Sequence, residues 1–116
     1  MFRFETLTIW SSSVSYVNEI YLITKNFPKT EIFSLTDQLR RSASSIPANI
    51  AEGSGSDSKK DFGHFINIAI RSLYETVSHL HIAKNQGYIT EEERISLYSD
   101  AEIIIKQMKR FKSTLL

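Results

Sequence analysis

The residues best suited to catalysis or metal binding in this sequence are three histidines, His64, His79 and His81. Glu75 and His79 are four residues apart, so they share one face if this segment is helical. Di-iron helical bundles instead place a carboxylate and a histidine three residues apart, in two copies, with further glutamates. Because the second copy is missing, we predict no metal site and no cofactor. The alternative is a metal- or small-molecule-dependent enzyme that uses this histidine-bearing segment.

Two further groups of residues could handle a phosphate or supply a nucleophile. Gly53-Ser54-Gly55-Ser56 precedes Lys59 and Lys60, which superficially suggests phosphate binding at a helix N-terminus. The segment is not a Walker motif and no strand pattern precedes it, so a flexible interhelical loop explains it as well. The serine runs 11–13 and 42–45 supply hydroxyls, but nothing places a base and an orienting acid around one. We therefore predict no catalytic residue and a protein that is not an enzyme.

Four long segments with apolar residues every three or four positions must carry these side chains. The spacing predicts helices over about 5–26, 31–52, 58–86 and 91–114. The predicted core stripes are Trp10, Val14, Val17 and Tyr21 in the first helix; Leu35, Leu39, Ala43, Ile46 and Ile50 in the second; Phe62, Ile66, Ala69, Leu73, Val77 and Leu80 in the third; and Leu97, Ala101, Ile104, Met108, Phe111 and Leu115 in the fourth.

Start and stop signals agree with this division. Thr90-Glu91-Glu92-Glu93 is a capping box, Ser58 can cap the third helix and Thr30 the second. Gly53 and Gly87 are expected as left-handed terminators of the second and third helices. Pro47 removes a backbone donor inside the second helix, so we expect one helix kinked near this residue.

Short connections make sequential helices antiparallel neighbours, so the predicted fold is all-α, an antiparallel up-down-up-down four-helix bundle. The length of 116 residues fits a single domain, 1–116. No apolar run approaches the ~20 residues that cross a bilayer, so we expect no membrane association. The absence of cysteine is compatible with a cytoplasmic location, and a net charge of +1 implies no strong global field.

Two features of the helix surfaces suggest partners. The first and fourth helices carry more apolar residues than one core stripe needs, which favours self-association over a generously packed monomer. Polar stripes at helical spacing occupy the second and third helices. They consist of Gln38, Arg41, Ser45, Asn49 and Glu52, and of His64, Asn67, Arg71 and Glu75. These stripes could contact each other or a neighbouring subunit, with Arg41 or Arg71 paired with Glu52 or Glu75. The alternative is that both stripes face solvent.

Basic clusters offer a candidate contact with RNA or DNA. Arg40, Lys59 and Lys60 are expected to cluster near one end of the hairpin formed by the second and third helices, and an oligomer would repeat that patch. The cations between Lys106 and Lys112 are explained by charge compensation at a helix end. No base-reading motif accompanies them, so such binding would be electrostatic and sequence-tolerant.

The segment from Gln38 to Gly53, QLRRSASSIPANIAEG, resembles the hallmark of a bacterial family, the four-helix-bundle 23S rRNA-intervening sequence proteins. Further matching features are Trp10, Tyr21, Phe27-Pro28 with Glu31, Ser72-Leu73-Tyr74-Glu75, and Gly87-Tyr88 before the final helix. The resemblance covers nearly the whole chain.

This resemblance implies an antiparallel bundle that assembles as a homopentameric ring and has no enzymatic activity. A more distant similarity is to the accessory variability determinants of diversity-generating retroelements, which bind nucleic acid and a reverse transcriptase. It implies RNA, DNA or a protein as partner. Arg41, Asn49, Glu52 and Glu75 match polar positions of the family, and we interpret them first as fold or interface determinants.

Overall fold

The computed structural model describes residues 1–116 and contains four α-helices: α1 (Thr8–Thr24), α2 (Leu35–Ser54), α3 (Lys59–Asn85) and α4 (Glu91–Ser113). Short 3-10 turns, Arg3–Thr6 and Lys29–Glu31, precede α1 and α2. Each helix packs against its neighbour in sequence, and α1 also packs against α4. The bundle measures 43 × 23 × 21 Å. The predicted all-α four-helix bundle is confirmed.

The ends of α3 and α4 follow the predicted capping signals. Ser58 Oγ accepts a hydrogen bond from the Asp61 backbone N–H at 3.1 Å. At the start of α4, Thr90 and Glu93 exchange both bonds of the capping box. Gly87 follows α3 with a φ of 79°, a conformation that favours glycine. These signals work because each satisfies backbone groups that a helix end would leave unpaired.

The start of α2 differs from the prediction. Thr30 lies in the 3-10 turn and not at a helix cap, and α2 begins at Leu35. The Glu31 carboxylate accepts one bond from the Leu35 backbone N–H at 3.3 Å and another from the Tyr88 hydroxyl at 2.9 Å. The turn is therefore held by a residue of the α3–α4 connection, which no local sequence signal predicts.

The predicted role of Gly53 as a left-handed helix terminator is wrong. Gly53 lies inside α2, and its φ is not positive. A Cβ built there would lie 2.7 Å from Phe65 Cβ and 2.8 Å from Phe62 Cδ1. Gly53 is needed because α3 approaches this point of the α2 backbone too closely for any side chain. α2 also continues through Pro47 as one helix, as predicted.

The predicted core stripes of α2, α3 and α4 are buried except for Val77, Phe111 and Leu115, which are partly buried at the edge of the core, but the stripe of α1 is wrong. The residues of α1 that are buried are Ile9, Ser13, Tyr16, Ile20 and Thr24. The Ser13 and Thr24 hydroxyls donate to carbonyl oxygens one turn earlier in α1, at 2.6 and 2.7 Å, so both can be buried without an unpaired donor. The helix is therefore rotated by about one residue, or 100°, from the predicted orientation.

Tyr16 connects α1 to α4. Its hydroxyl donates a hydrogen bond to the Leu97 carbonyl oxygen at 3.0 Å. Burial, together with the nearby carboxylates of Asp100 and Glu19, raises the pKa of Tyr16 far above its usual value. The hydroxyl therefore stays protonated at alkaline pH values at which an exposed tyrosine ionises, and it keeps this contact between the two helices.

Candidate nucleic-acid interface

The start of α3 and the end of α4 meet at one end of the bundle because the two helices are antiparallel. They form a groove of about 320 Å³ lined by Lys59, Lys60, Gly63, His64, Asn67, Lys112, Leu115 and Leu116, here named the lysine groove. Lys59 and Lys60 occupy the first turn of α3, and Lys112 comes from the last turn of α4. The groove thus brings together three ammonium groups from two helices.

Gly63 helps to position Lys112 in this groove. A Cβ at Gly63 would be 3.9 Å from both Cγ and Cε of Lys112, so the lysine stem passes directly over the glycine. Lys112 is half-buried, whereas Lys59 and Lys60 are exposed. A lysine can bury its methylene stem in this way while its charged end stays in water.

The charges of the lysine groove are available to a ligand. The ion pairs of the molecule involve Arg41, His79, Lys84 and Arg94, and none of them engages Lys59, Lys60 or Lys112. A further cation lies nearby, since the Arg3 guanidinium is 5.2 Å from the centre of the Phe62 ring. Lys112 is a site residue that sequence analysis missed, because its proximity to Lys59 is created only by the packing of α4 on α3.

Arg40 does not lie with Lys59 and Lys60, contrary to the prediction. Its Nε donates to Thr24 Oγ1 at 2.9 Å, and its guanidinium carbon lies 4.5 Å from the centre of the Tyr21 ring. Arg40 and the end of α2 at Ser54 are fourteen positions apart, or about 21 Å at 1.5 Å per residue. The predicted cluster is therefore two separate basic sites at different heights of the bundle.

The polar stripe of α2 is satisfied mostly within its own helix. Arg41 Nε donates to Asp37 Oδ2 at 2.8 Å. Asn49 Nδ2 donates to the Ser45 carbonyl oxygen and hydroxyl at 2.8 and 2.9 Å. Gln38 and Glu52 are exposed and make no side-chain hydrogen bond.

The polar stripe of α3 is exposed as well. Asn67 and Arg71 have no side-chain partner, and Glu75 Oε2 lies 3.1 Å from His79 Nε2. The predicted arginine–glutamate pair between the two stripes is not formed within the chain. The α3 stripe, together with Gln38, Arg41 and Glu52 of the α2 stripe, is consequently free to face solvent or another molecule.

The α2–α3 seam is instead held by short hydroxyl side chains. The Ser42 and Thr76 hydroxyls are 2.8 Å apart, and Ser72 Oγ donates to Ser45 Oγ at 3.0 Å. These small residues let the two helices pack closely while their buried oxygens remain paired.

The three histidines lie in separate environments. His64 lines the lysine groove and His79 pairs with Glu75. His81 Nε2 lies 3.4 Å from Arg94 Nη1. The hydrogen bond from Arg94 also lowers the pKa of Glu91. No group of three or more His, Asp or Glu side chains converges where it could hold a metal ion.

Much of the apolar surplus predicted for the fourth helix lies on the outer surface of the bundle. A groove of about 280 Å³ between α3 and α4, here named the apolar groove, is lined by Tyr74, Val77, Tyr98, Ala101, Glu102, Ile105, Lys106 and Lys109. Tyr74 and Ile103 are more than half exposed. Ile95 and Tyr98 on α4 add further exposed apolar area.

The fold and these surfaces define an antiparallel helical bundle with a basic groove at one end and exposed apolar surface on its third and fourth helices. None of the four helices has the length and apolarity required to cross a bilayer. The chain belongs to the 23S rRNA-intervening sequence protein family, whose model matches residues 5–110.

A solved structure from Bacteroides thetaiotaomicron VPI-5482 is similar to this chain. It is described as a protein with unknown function from the S23 ribosomal protein family. The two sequences are 28% identical, the match covers 90% of this chain and 98% of the other, and the TM-score is 0.82. A comparison with curated proteins finds no match.

Proposed function

We propose that this protein is a non-enzymatic, cytoplasmic scaffold that assembles into a ring of five copies and binds RNA or DNA. The observation that carries the proposal is the lysine groove, in which Lys59, Lys60 and Lys112 converge without an ion-pair partner. Free ammonium groups bind phosphate oxygens and release the counterions condensed on a nucleic acid.

Assembly is an essential part of this function because one copy carries a net charge of only +1. A single lysine groove can neutralise few phosphates, whereas a ring repeats the same groove around its axis. The contacts then add, and the affinity depends steeply on salt. Since contacts from lysines to phosphates carry no sequence information, binding through these three side chains is tolerant of sequence.

The apolar groove supports self-association. Tyr74, Tyr98 and Ile105 line it, and Tyr74 and Tyr98 are both exposed. Large apolar side chains that remain in water on a small domain are typical of a surface covered by another protein. A second copy of the chain is the occupant that we propose.

The assembly is tested by multi-angle light scattering at micromolar concentration. We expect a mass near five times the 13.3 kDa of the chain. Tyr74→Ala and Tyr98→Ala together should reduce the mass, because they remove apolar area from the contact. A mass of one chain at every concentration would refute self-association, and another small multiple would refute only the number five.

Nucleic-acid binding is tested by reversing the charges of the lysine groove. Lys59→Glu with Lys60→Glu should weaken binding of RNA and DNA duplexes by about tenfold or more at low salt and reduce the salt slope by about 0.7–0.9 for each lost phosphate contact. Fluorescence anisotropy across a salt series measures both quantities, and the mass should not change.

Lys84→Glu is the matched control for these charge reversals. Lys84 is exposed near the other end of α3 and lies 3.9 Å from Glu91. If Lys84→Glu weakens binding as much as Lys59→Glu, the lysine groove is not the contact. Undetectable binding of the wild-type protein, even at low salt, would leave a protein as the partner of the scaffold.

A further inference from the structure

A third groove lies where the connection between α1 and α2 passes over the start of α2. It has a volume of about 440 Å³ and is lined by Tyr21, Ile32, Phe33, Thr36, Asp37, Arg40, Arg41 and Ser44, here named the aromatic groove. It is separate from the lysine groove, which lies beyond the opposite end of α2.

Phe33 is the most unusual residue of the aromatic groove, since 91% of its surface is exposed. The segment that carries it is firmly held. Glu31 receives hydrogen bonds from the Tyr88 hydroxyl and the Leu35 backbone N–H, and Ser34 N–H donates to the Glu31 carbonyl oxygen at 2.9 Å. Phe33 is therefore presented to solvent on an anchored turn, as a phenyl ring with accessible faces.

Two arginines line the same groove as this ring. Arg40 is oriented by its bond to Thr24 Oγ1 and by the Tyr21 ring, and its two terminal guanidinium nitrogens make no hydrogen bond within the chain. Arg41 is 80% exposed and shares one bond with Asp37. On the same part of the chain, Lys25 and Lys29 are exposed and unpaired.

The charge balance favours an anionic ligand. Arg40 and Arg41 line the aromatic groove, and Lys25 and Lys29 belong to the chain segment that leads to it. Asp37 is the carboxylate that lines the groove, and Glu31 is engaged by Tyr88 and Leu35. A purely apolar partner would bury the terminal guanidinium nitrogens of Arg40 and Arg41 without acceptors, which costs free energy. A ligand with both an aromatic ring and a phosphate can stack its ring on Phe33 and place its phosphate oxygens against the arginines.

We propose that the aromatic groove binds an unpaired nucleotide of a single-stranded nucleic acid. A base stacks on Phe33, and the adjacent phosphate accepts hydrogen bonds from Arg40, with Lys25 and Lys29 adding attraction along the strand. Stacking on an aromatic side chain tolerates any base because every base has a π face. The inference rests on the proposed function and extends it, since the lysine groove binds phosphates of any strand whereas this groove requires a base.

The test compares an oligothymidylate with an abasic strand of the same length, which has the phosphates and lacks the bases. Wild-type protein should bind the oligothymidylate about 5- to 100-fold more tightly, as expected for stacking of a base on an aromatic ring. Phe33→Ala should reduce this ratio to near one. Phe33→Tyr should keep it, because the ring remains.

Ile82→Ala is the matched control, since Ile82 is an exposed apolar residue outside the aromatic groove and has no π face. It should keep the preference for the strand with bases. Phe33→Ala should also bind a duplex as wild type does, because that binding depends on the lysine groove.

Three outcomes would overturn the inference. If wild-type protein binds both strands equally, no base is stacked, although duplex binding would still support the proposed function. If Phe33→Ala changes the mass in light scattering, Phe33 lies between copies of the chain. If neither strand nor duplex is bound, the inference and the nucleic-acid part of the proposed function fail together.

Discussion

Replacing Ile20 by alanine is expected to lower the free energy of unfolding by about 2–5 kcal/mol, the usual range for truncating a large aliphatic side chain in a packed core. Ile20 is fully buried in α1. The loss has two contributions. The shorter side chain buries less apolar surface, and the cavity it leaves is filled only partly when the surrounding residues relax. Urea denaturation followed by circular dichroism measures it as a lower midpoint at an unchanged slope.

Leu22 provides a matched control, because it has a side chain of similar size in the same helix and is 60% exposed. Leu22→Ala should change the free energy of unfolding by at most about 0.5 kcal/mol. Tyr21→Ala tests the orientation of α1 directly. If it costs more than Ile20→Ala, the stripe predicted from sequence, and not the one in the structure, faces the core.

The orientation of α1 shows where a hydrophobic pattern stops being informative. In α2, α3 and α4 the buried positions are predominantly apolar, so a spacing of three and four identifies them. In α1 the buried face contains Ser13 and Thr24, whose hydroxyls are paired with their own helix. The neighbouring face contains Trp10 and Val17, which are half-buried and pack against the edge of the core. Choosing the face of α1 with the most apolar residues therefore selects a stripe that lies one residue along the sequence from the buried stripe.

The candidate site was predictable only in part for a related reason. Lys59 and Lys60 are adjacent in sequence and start a helix with a recognisable cap, so a local pattern identifies them. Lys112 joins them only because antiparallel packing brings the end of α4 to the start of α3. Arg40 does not join them, because it lies fourteen residues before the end of α2. Which side chains of different helices meet, and at what height in the bundle each lies, depends on the tertiary packing. A single sequence constrains these properties weakly.

At Gly53, substitution by alanine has two opposing effects on stability, a gain in helix propensity and a loss from steric overlap with α3. In an isolated helix, glycine-to-alanine stabilises by about 1 kcal/mol. At Gly53, however, the new Cβ would lie 2.7 Å from Phe65 Cβ and 2.8 Å from Phe62 Cδ1. Phe65 Cβ cannot move without the backbone of α3, so relief of the overlap requires α2 and α3 to separate.

We therefore expect Gly53→Ala to lower the free energy of unfolding by about 1–3 kcal/mol, the usual cost of overpacking, in spite of the gain in propensity. Gly63→Ala is the control within α3, because its Cβ would meet Lys112 at an ordinary 3.9 Å. That variant should be as stable as wild type or more stable by up to about 1 kcal/mol. Thermal and urea unfolding of the two variants side by side measure the difference. Equal stability of the pair would mean that α2 and α3 are farther apart at Gly53 than the structure shows, since only the close contact with Phe62 and Phe65 distinguishes the two glycines.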